Sequence, residues 1–142
     1  MKRTLAVVVA LTLAGVAAAI AYQTAARQRD YRAFIARGDA ALRDDQTFAA
    51  IEAYSGAIAL RSDSMIAHLR LAETYQRRGN LDEAARELRI ASGLDQNATR
   101  PLEELGDVAY QQQRFARAVE AYGRAFRLDD RSPRVEIGRA HV

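Results

Sequence analysis

Hydrophobic and small residues recur at helical spacing in two successive segments between residues 65 and 98. In the first segment, Ile66 and Leu69 begin a stripe at three-residue steps that continues through Ala72 and Tyr75, as on one face of a helix. The pair Gly79-Asn80 then interrupts the stripe, and a glycine there can close a helix. A second stripe follows at Leu81, Ala84, Ala85, Leu88, Ala91 and Leu94. The pattern predicts two helices joined by a tight turn.

The same pattern recurs along the chain with a constant spacing. Positions 38, 72 and 106 are small and lie 34 residues apart (72 − 38 = 106 − 72). At the same spacing lie further small residues, large residues and acids: Ala50, Ala84 and Ala118; Ala57, Ala91 and Ala125; Tyr54, Leu88 and Tyr122; Asp39, Glu73 and Asp107. A fixed period of this length predicts an all-α, right-handed helix-turn-helix solenoid. Its three 34-residue repeats would be residues 31–64, 65–98 and 99–132.

These small and large positions resemble the signature of the tetratricopeptide repeat family, over residues 31–132. The family's small residues fall at the eighth, twentieth and twenty-seventh positions of each unit, and a large residue falls at the twenty-fourth. The chain departs from the pattern at Arg37, where leucine is usual, and at His68, where a large apolar residue is usual. Arg37 predicts that the first helix is partly exposed or that the arginine stem packs. His68 is expected to be a core or interface residue rather than a ligand.

The resemblance implies a concave groove, lined by the first helix of each unit, that binds a partner protein or peptide. The implied groove residues are Arg32, Ile35, Asp39, Leu42, Arg43, Ile66, Leu69, Glu73, Gln76, Arg77, Arg100, Glu103, Asp107, Tyr110 and Gln111. One subset of the family grips carboxylates with asparagines at the ninth position, where this chain has Asp39, Glu73 and Asp107. These acids favour instead a partner with apolar anchors and some basic character. Alternatively, they pair with Arg43 and Arg77, four residues on.

The N-terminal segment, residues 1–30, has a different pattern. Lys2 and Arg3 precede a strongly apolar run over residues 5–21, which as a helix would span about 26 Å. We expect a single-pass anchor in a bacterial cytoplasmic membrane, with the repeats outside the cytoplasm. The alternative is a signal peptide, cleaved at the small residues near Ala19 or Ala21, which would leave a secreted or periplasmic protein.

Composition excludes several kinds of site. The chain has no cysteine and two histidines, so it offers neither a disulfide nor the four ligands of a structural zinc site. Its formal net charge is +3 with interleaved signs, which argues against a nucleic-acid partner. No catalytic constellation or phosphate-binding loop stands out. We therefore expect a non-enzymatic interaction scaffold without a cofactor or metal.

Residues 133–142 read as the start of a truncated fourth repeat. From about Glu136 the letters match a translated sequencing adapter, so we expect the natural protein to continue differently. This leaves a second functional class open, in which the repeats are an accessory or regulatory region of a larger protein or enzyme. A third possibility is self-association through the exposed end of the solenoid.

Overall fold

The computed structural model describes residues 2–128, with side chains described from residue 10 onward. Six helices follow one another: α1 (Lys2–Arg43), α2 (Thr47–Leu60), α3 (Met65–Arg77), α4 (Leu81–Leu94), α5 (Arg100–Gln111) and α6 (Phe115–Leu128). They pair as α1 with α2, α3 with α4 and α5 with α6, and successive pairs stack through α2 on α3 and α4 on α5. The prediction of an all-α helix-turn-helix solenoid is confirmed. Residues 129–142, and with them the predicted fourth repeat, lie outside the described residues.

The N-terminal segment and the first helix of the first repeat form one continuous helix, α1. Its uninterrupted course has a local reason, since residues 22–30 contain no proline or glycine and consist largely of helix-compatible residues. In the part of the chain that the structure describes, no helix is long and apolar enough to cross a membrane. This finding does not support the predicted anchor at residues 5–21. The anchor would begin within residues 1–9, and the side chains of those residues are not described.

Each repeat turns between its two helices through a residue in the left-handed backbone region. Gly79 has φ +76°, and the equivalent residues Asp45 and Gln113 have φ 58° and 59°. In each turn the next amide donates to the carbonyl five residues earlier, at 2.8 Å for Gln46 to Ala41 and 2.9 Å for Arg114 to Ala109. This bond is the helix-ending arrangement that a left-handed residue permits. The glycine signal therefore marked one turn of three, although all three have the same geometry.

Gln113→Gly should stabilise the protein, because a side chain in the left-handed region costs about 1–2 kcal/mol that glycine avoids. The extra conformational freedom of glycine in the unfolded chain offsets part of the gain. We expect a net rise of about 0.5–1 kcal/mol in the free energy of unfolding, measured by urea denaturation. Gln111→Gly, at the last residue of α5, is the matched control and should not stabilise the protein, because there glycine mainly adds backbone freedom to the unfolded chain. A loss of stability in Gln113→Gly would contradict the assigned turn geometry.

The two helices of a repeat meet where a small residue faces a large one. A Cβ added to Gly38 would lie 2.7 Å from Cδ1 of Tyr54, and one added to Gly106 would lie 2.6 Å from Cδ1 of Tyr122. The middle repeat has Ala72 and Leu88 at these positions, both buried. Glycine thus faces tyrosine in the outer repeats, and the larger alanine faces the smaller leucine in the middle one. The volume filled between the helices is therefore similar in all three repeats.

The two departures from the family pattern have clear structural roles. His68 is buried, with Nδ1 2.8 Å from Oε2 of Glu87 and Nε2 3.2 Å from the carbonyl oxygen of Ser62. It links α3 to α4 and to the preceding loop, as expected of a core residue. Arg37 is exposed, with its guanidinium carbon 5.6 Å from the centre of the Phe34 ring. The prediction of a partly exposed first helix at this point is confirmed.

Candidate partner-binding groove

A chain of ion pairs crosses the first helices of all three repeats. Asp39 on α1 lies 3.6 Å from Nε of Arg70 on α3, and Arg70 contacts Glu73 at 3.1 Å. Glu73 in turn contacts Arg100 on α5 at 2.5 Å, and Arg100 lies 3.9 Å from Glu104. We call Asp39, Arg70, Glu73, Arg100 and Glu104 the charge ladder. It connects α1, α3 and α5 on the side that carries the predicted groove, here called the groove face.

Tyrosine hydroxyls hold two of the predicted groove acids from within their own repeats. The hydroxyl of Tyr54 donates to Oδ1 of Asp39 at 2.7 Å, and that of Tyr122 donates to Oδ1 of Asp107 at 2.6 Å. Burial raises the pKa of the Tyr54 hydroxyl above its ordinary value, and the hydrogen bond to Asp39 raises it further. The middle repeat has Leu88 in place of the tyrosine. Its acid is the longer Glu73, which belongs to the charge ladder instead.

The alternative prediction, that these acids form helix-surface ion pairs, is correct in kind for Asp39 and Glu73 but names the wrong arginines. Arg70 pairs with Glu73 on the same helix and with Asp39 of the preceding repeat, and Arg100 pairs with Glu73 of the preceding repeat. Arg77 instead donates to the carbonyl oxygen of Leu42 at 3.3 Å, near the end of α1. A cation there meets the negative end of the helix dipole and satisfies a terminal carbonyl. The acids are thus largely occupied by bonds within the protein.

Burial divides the predicted groove residues into two sets. Leu42, Leu69 and Glu103 are buried and cannot contact a partner as the fold stands. Leu42 lies in one core cluster with Leu71, and Leu69 lies in another with Val108. These two clusters join each repeat to the next. The exposed residues of the set are Arg32, Arg43, Ile66, Arg77, Arg100, Tyr110 and Gln111, and those of intermediate exposure are Ile35, Asp39, Glu73, Gln76 and Asp107. Of the apolar residues predicted to anchor a partner, two are therefore exposed.

Those two anchors are Ile66 on α3 and Tyr110 on α5, which are 53% and 47% exposed. The Tyr110 ring packs edge to face on Phe115, with the ring centres 5.4 Å apart and the planes at 67°. This contact restricts Tyr110 without covering it, and Phe115 is itself exposed. Phe115 was not predicted as a groove residue, because it begins α6 and does not belong to a first helix of a repeat.

The groove face offers binding chemistry rather than a reactive centre among the described residues. Over the described part of the chain, no group of three or more histidine, cysteine or acidic residues could hold a metal ion. The carboxylates of Asp39 and Glu73 are ion-paired, and His68 is fixed by Glu87 and Ser62 away from the ladder. The accessible side chains are arginines, amides, the partly exposed acids Asp39, Glu73 and Asp107, and the two apolar side chains, which is the composition of a contact surface.

Comparison with known proteins finds similar solved structures but no similar sequence family. No protein-family model matches the sequence, and no curated protein matches it. The TPR domain of Arabidopsis OM64 superposes with a TM-score of 0.76 at 17% identity, covering 82% of this chain and 99% of that one. The second TPR domain of human RPAP3, in complex with the HSP70 peptide SGPTIEEVD, also gives 0.76, at 16% identity, covering 81% of this chain and 96% of that one.

A third similar structure belongs to a much larger protein. An O-GlcNAc transferase from Thermobaculum terrenum matches with a TM-score of 0.70 and 22% identity, covering 79% of this chain but 22% of that one. At these identities the likeness concerns the fold. The repeat period, the six paired helices and these superpositions agree, and the described residues have the fold of tetratricopeptide-repeat domains.

Proposed function

We propose that the protein is a non-enzymatic interaction scaffold that binds a segment of a partner protein across its groove face. The observation that carries this proposal is the prebuilt character of that face. The charge ladder ties α1, α3 and α5 together, and the tyrosine hydrogen bonds fix Asp39 to α2 and Asp107 to α6. Ile66 and Tyr110 stay exposed on this face. A surface that is already ordered loses little conformational freedom on binding. The TPR fold supports the proposal, since a neighbour of this fold holds a peptide.

The partner chemistry follows from what the groove face presents. The charge ladder contains three carboxylates and two guanidiniums, so this part of the face carries a small negative excess (2 − 3 = −1). The exposed Arg43 and Arg77 stand apart from it, at the ends of α1 and α3. An acidic peptide such as the one held by human RPAP3 would meet Asp39, Glu73 and Asp107 and be repelled. We therefore expect a segment with apolar side chains for Ile66 and Tyr110, and with neutral or basic residues between them.

Replacing the two exposed apolar residues should remove the partner. In a pull-down with the full chain as bait, Ile66→Ser combined with Tyr110→Ser should lower the recovered partner about tenfold or more, because buried apolar anchors dominate interface energies. Ile90→Ser is the matched control, since Ile90 is 40% exposed and lies on α4, a second helix of its repeat. Equal losses in both proteins, or unchanged recovery with the groove variant, would contradict binding at the groove face.

We also propose that the protein acts at a bacterial envelope, through residues 5–21 or after export. This proposal rests on the apolar run behind Lys2 and Arg3 in the sequence. Fractionation of native cells and the mass of the recovered protein test it. A full-length mass in the membrane fraction supports the anchor, and a mass that begins near Tyr22 supports cleavage. Full-length protein confined to the cytosol would contradict both.

A further inference from the structure

Two adjoining clefts lie between α4 and α6, with α5 as their floor. Their volumes are about 420 Å³ and 640 Å³, and both are lined by Arg89 and Arg124. We call them together the α4–α6 cleft. Its floor is apolar, formed by Leu102, Leu105 and Ala109 of α5, with Ala85 of α4 and Ala121 of α6.

The cleft and the groove face occupy opposite sides of α5. Leu102, Leu105 and Ala109 recur at steps of three and four residues and face the cleft. On a helix of 3.6 residues per turn, Asp107 falls about half a turn away from them and Tyr110 a little over a quarter of a turn away. A ligand in the cleft therefore would not occupy the groove face, and the two surfaces could be filled independently.

The charges of the cleft are strongly one-sided. Arg89 stands on the α4 wall, and Arg117, Arg124 and Arg127 stand on the α6 wall. Glu120 is the one carboxylate in the lining, so the lining carries a formal charge of +3 (4 − 1).

These four arginines are exposed, and within residues 10–128 none of their guanidinium groups has a hydrogen-bond or ion-pair partner. The arginines of the charge ladder differ, because Arg70 and Arg100 are each held by two carboxylates. The cleft is thus a concentration of cations that the fold itself does not neutralise.

We propose that the α4–α6 cleft binds an acidic, extended segment of a partner protein. Guanidinium groups on both walls can form paired hydrogen bonds to carboxylates, which is the geometry arginine provides best. The apolar floor takes a small or medium apolar side chain from the same segment. From Arg117 to Leu128 the α6 wall rises about 16 Å, which matches roughly five extended residues.

Two other occupants fit the lining less well. A nucleic acid would meet arginines, but the cleft lining has no aromatic ring on which a base could stack. The side chains of the chain's own residues 129–142 include three acids and three arginines, so these side chains bring no negative excess to a positive cleft (3 − 3 = 0). An acidic partner segment with an apolar residue complements both the charge and the floor.

Fluorescence anisotropy of the full chain with a labelled peptide pool tests the proposal. In the pool, a central leucine is flanked by random mixtures of aspartate, glutamate, serine and glycine. We expect saturable binding that weakens with added salt and falls about tenfold or more in Arg117→Gln/Arg124→Gln. Arg32→Gln/Arg43→Gln, which removes the same charge from the groove face, should bind as the unmodified protein does. Circular dichroism confirms that both variants are folded.

Three results would overturn the proposal: no saturable binding of the acidic pool, equal losses in the two double variants, or tighter binding of a short oligouridylate than of the acidic pool. Binding that appears only after removal of residues 129–142 would show that the chain's own end occupies the cleft, and would also overturn it. Recovery of the groove-face partner by Arg117→Gln/Arg124→Gln should be unchanged. The failure of one proposal is therefore distinguishable from the failure of the other.

Discussion

Tyr54→Ala is expected to lower the free energy of unfolding by about 3–5 kcal/mol, the range for removing a buried aromatic ring. The Tyr54 side chain is 0% exposed and fills the space beside Gly38, whose missing side chain makes room for the ring. Its loss leaves a cavity between α1 and α2 that the neighbouring helices fill only in part. Urea denaturation followed by circular dichroism measures the change directly.

Tyr54→Phe separates the ring from the hydroxyl. It keeps the packing against Gly38 and removes the hydrogen bond to Asp39, so we expect a smaller loss, of about 1–3 kcal/mol. The raised pKa of Tyr54 gives a second signature. Because the folded-state pKa lies above the ordinary value of 10.0, the stability that the hydroxyl contributes is present below about pH 10 and falls as the pH rises further. Tyr54→Phe should lack this part of the alkaline loss, and equal losses in the two variants would contradict the packing role of the ring.

Leu88→Tyr should destabilise the middle repeat by about 1–3 kcal/mol, and Ala72→Gly should then relieve it. The first and third repeats place a tyrosine ring against a glycine, where even a Cβ would lie within 3 Å of ring atoms. In the middle repeat the Cβ of Ala72 occupies that position, so a tyrosine at 88 would be overpacked. Ala72→Gly alone should lower the free energy of unfolding by about 1 kcal/mol or more, because glycine is a poorer helix former than alanine and leaves a gap beside Leu88.

A double-mutant cycle by urea denaturation tests this compensation. We expect a favourable coupling of about 1–3 kcal/mol between Leu88→Tyr and Ala72→Gly. Ile90→Tyr with Ala72→Gly is the control, because Ile90 is partly exposed on another face of α4, and its effects should add. Additive effects for the Leu88 pair as well would show that the two positions do not share one packing site.

The fold could be predicted from the sequence because the repeat pattern lies in the residues that make the closest helix contacts. Ala50, Ala57, Ala84 and Ala91 are wholly buried, so their size and spacing are fixed by packing rather than by surface chemistry. The turns were harder to predict. Asp45 and Gln113 adopt the left-handed conformation of Gly79. Aspartate tolerates this conformation, but glutamine gives no signal for it in the sequence.

The candidate groove was predictable in position and less so in detail. The acids at Asp39 and Glu73 were expected to pair along their own helices, at four-residue spacing. Glu73 does pair on its own helix, but with Arg70, three residues earlier. Asp39 pairs with Arg70, and Glu73 also with Arg100, each on the first helix of the next repeat, and these contacts depend on the spacing between repeats. Leu42 and Leu69 were expected to face a partner, but they face the following repeat.

The α4–α6 cleft could not be predicted from the sequence, because its residues come from three different helices. Arg117, Arg124 and Arg127 share one face of α6 by their spacing, which on its own is typical of a solvated helix surface. The opposite wall, with Arg89, belongs to α4, and the apolar floor belongs mainly to α5. Only the stacking of two repeats brings these elements together.

Photo-crosslinking in native cells tests partner binding at the groove face most directly. A benzophenone amino acid placed at Tyr110 in the full chain should crosslink a discrete partner, and Ile66→Ser in the same protein should strongly reduce that product. The same amino acid at Ile90, on α4 outside the groove face, should not give it. An identical product from both positions, or a Tyr110 product unaffected by Ile66→Ser, would contradict the groove face as the site where this protein holds its partner.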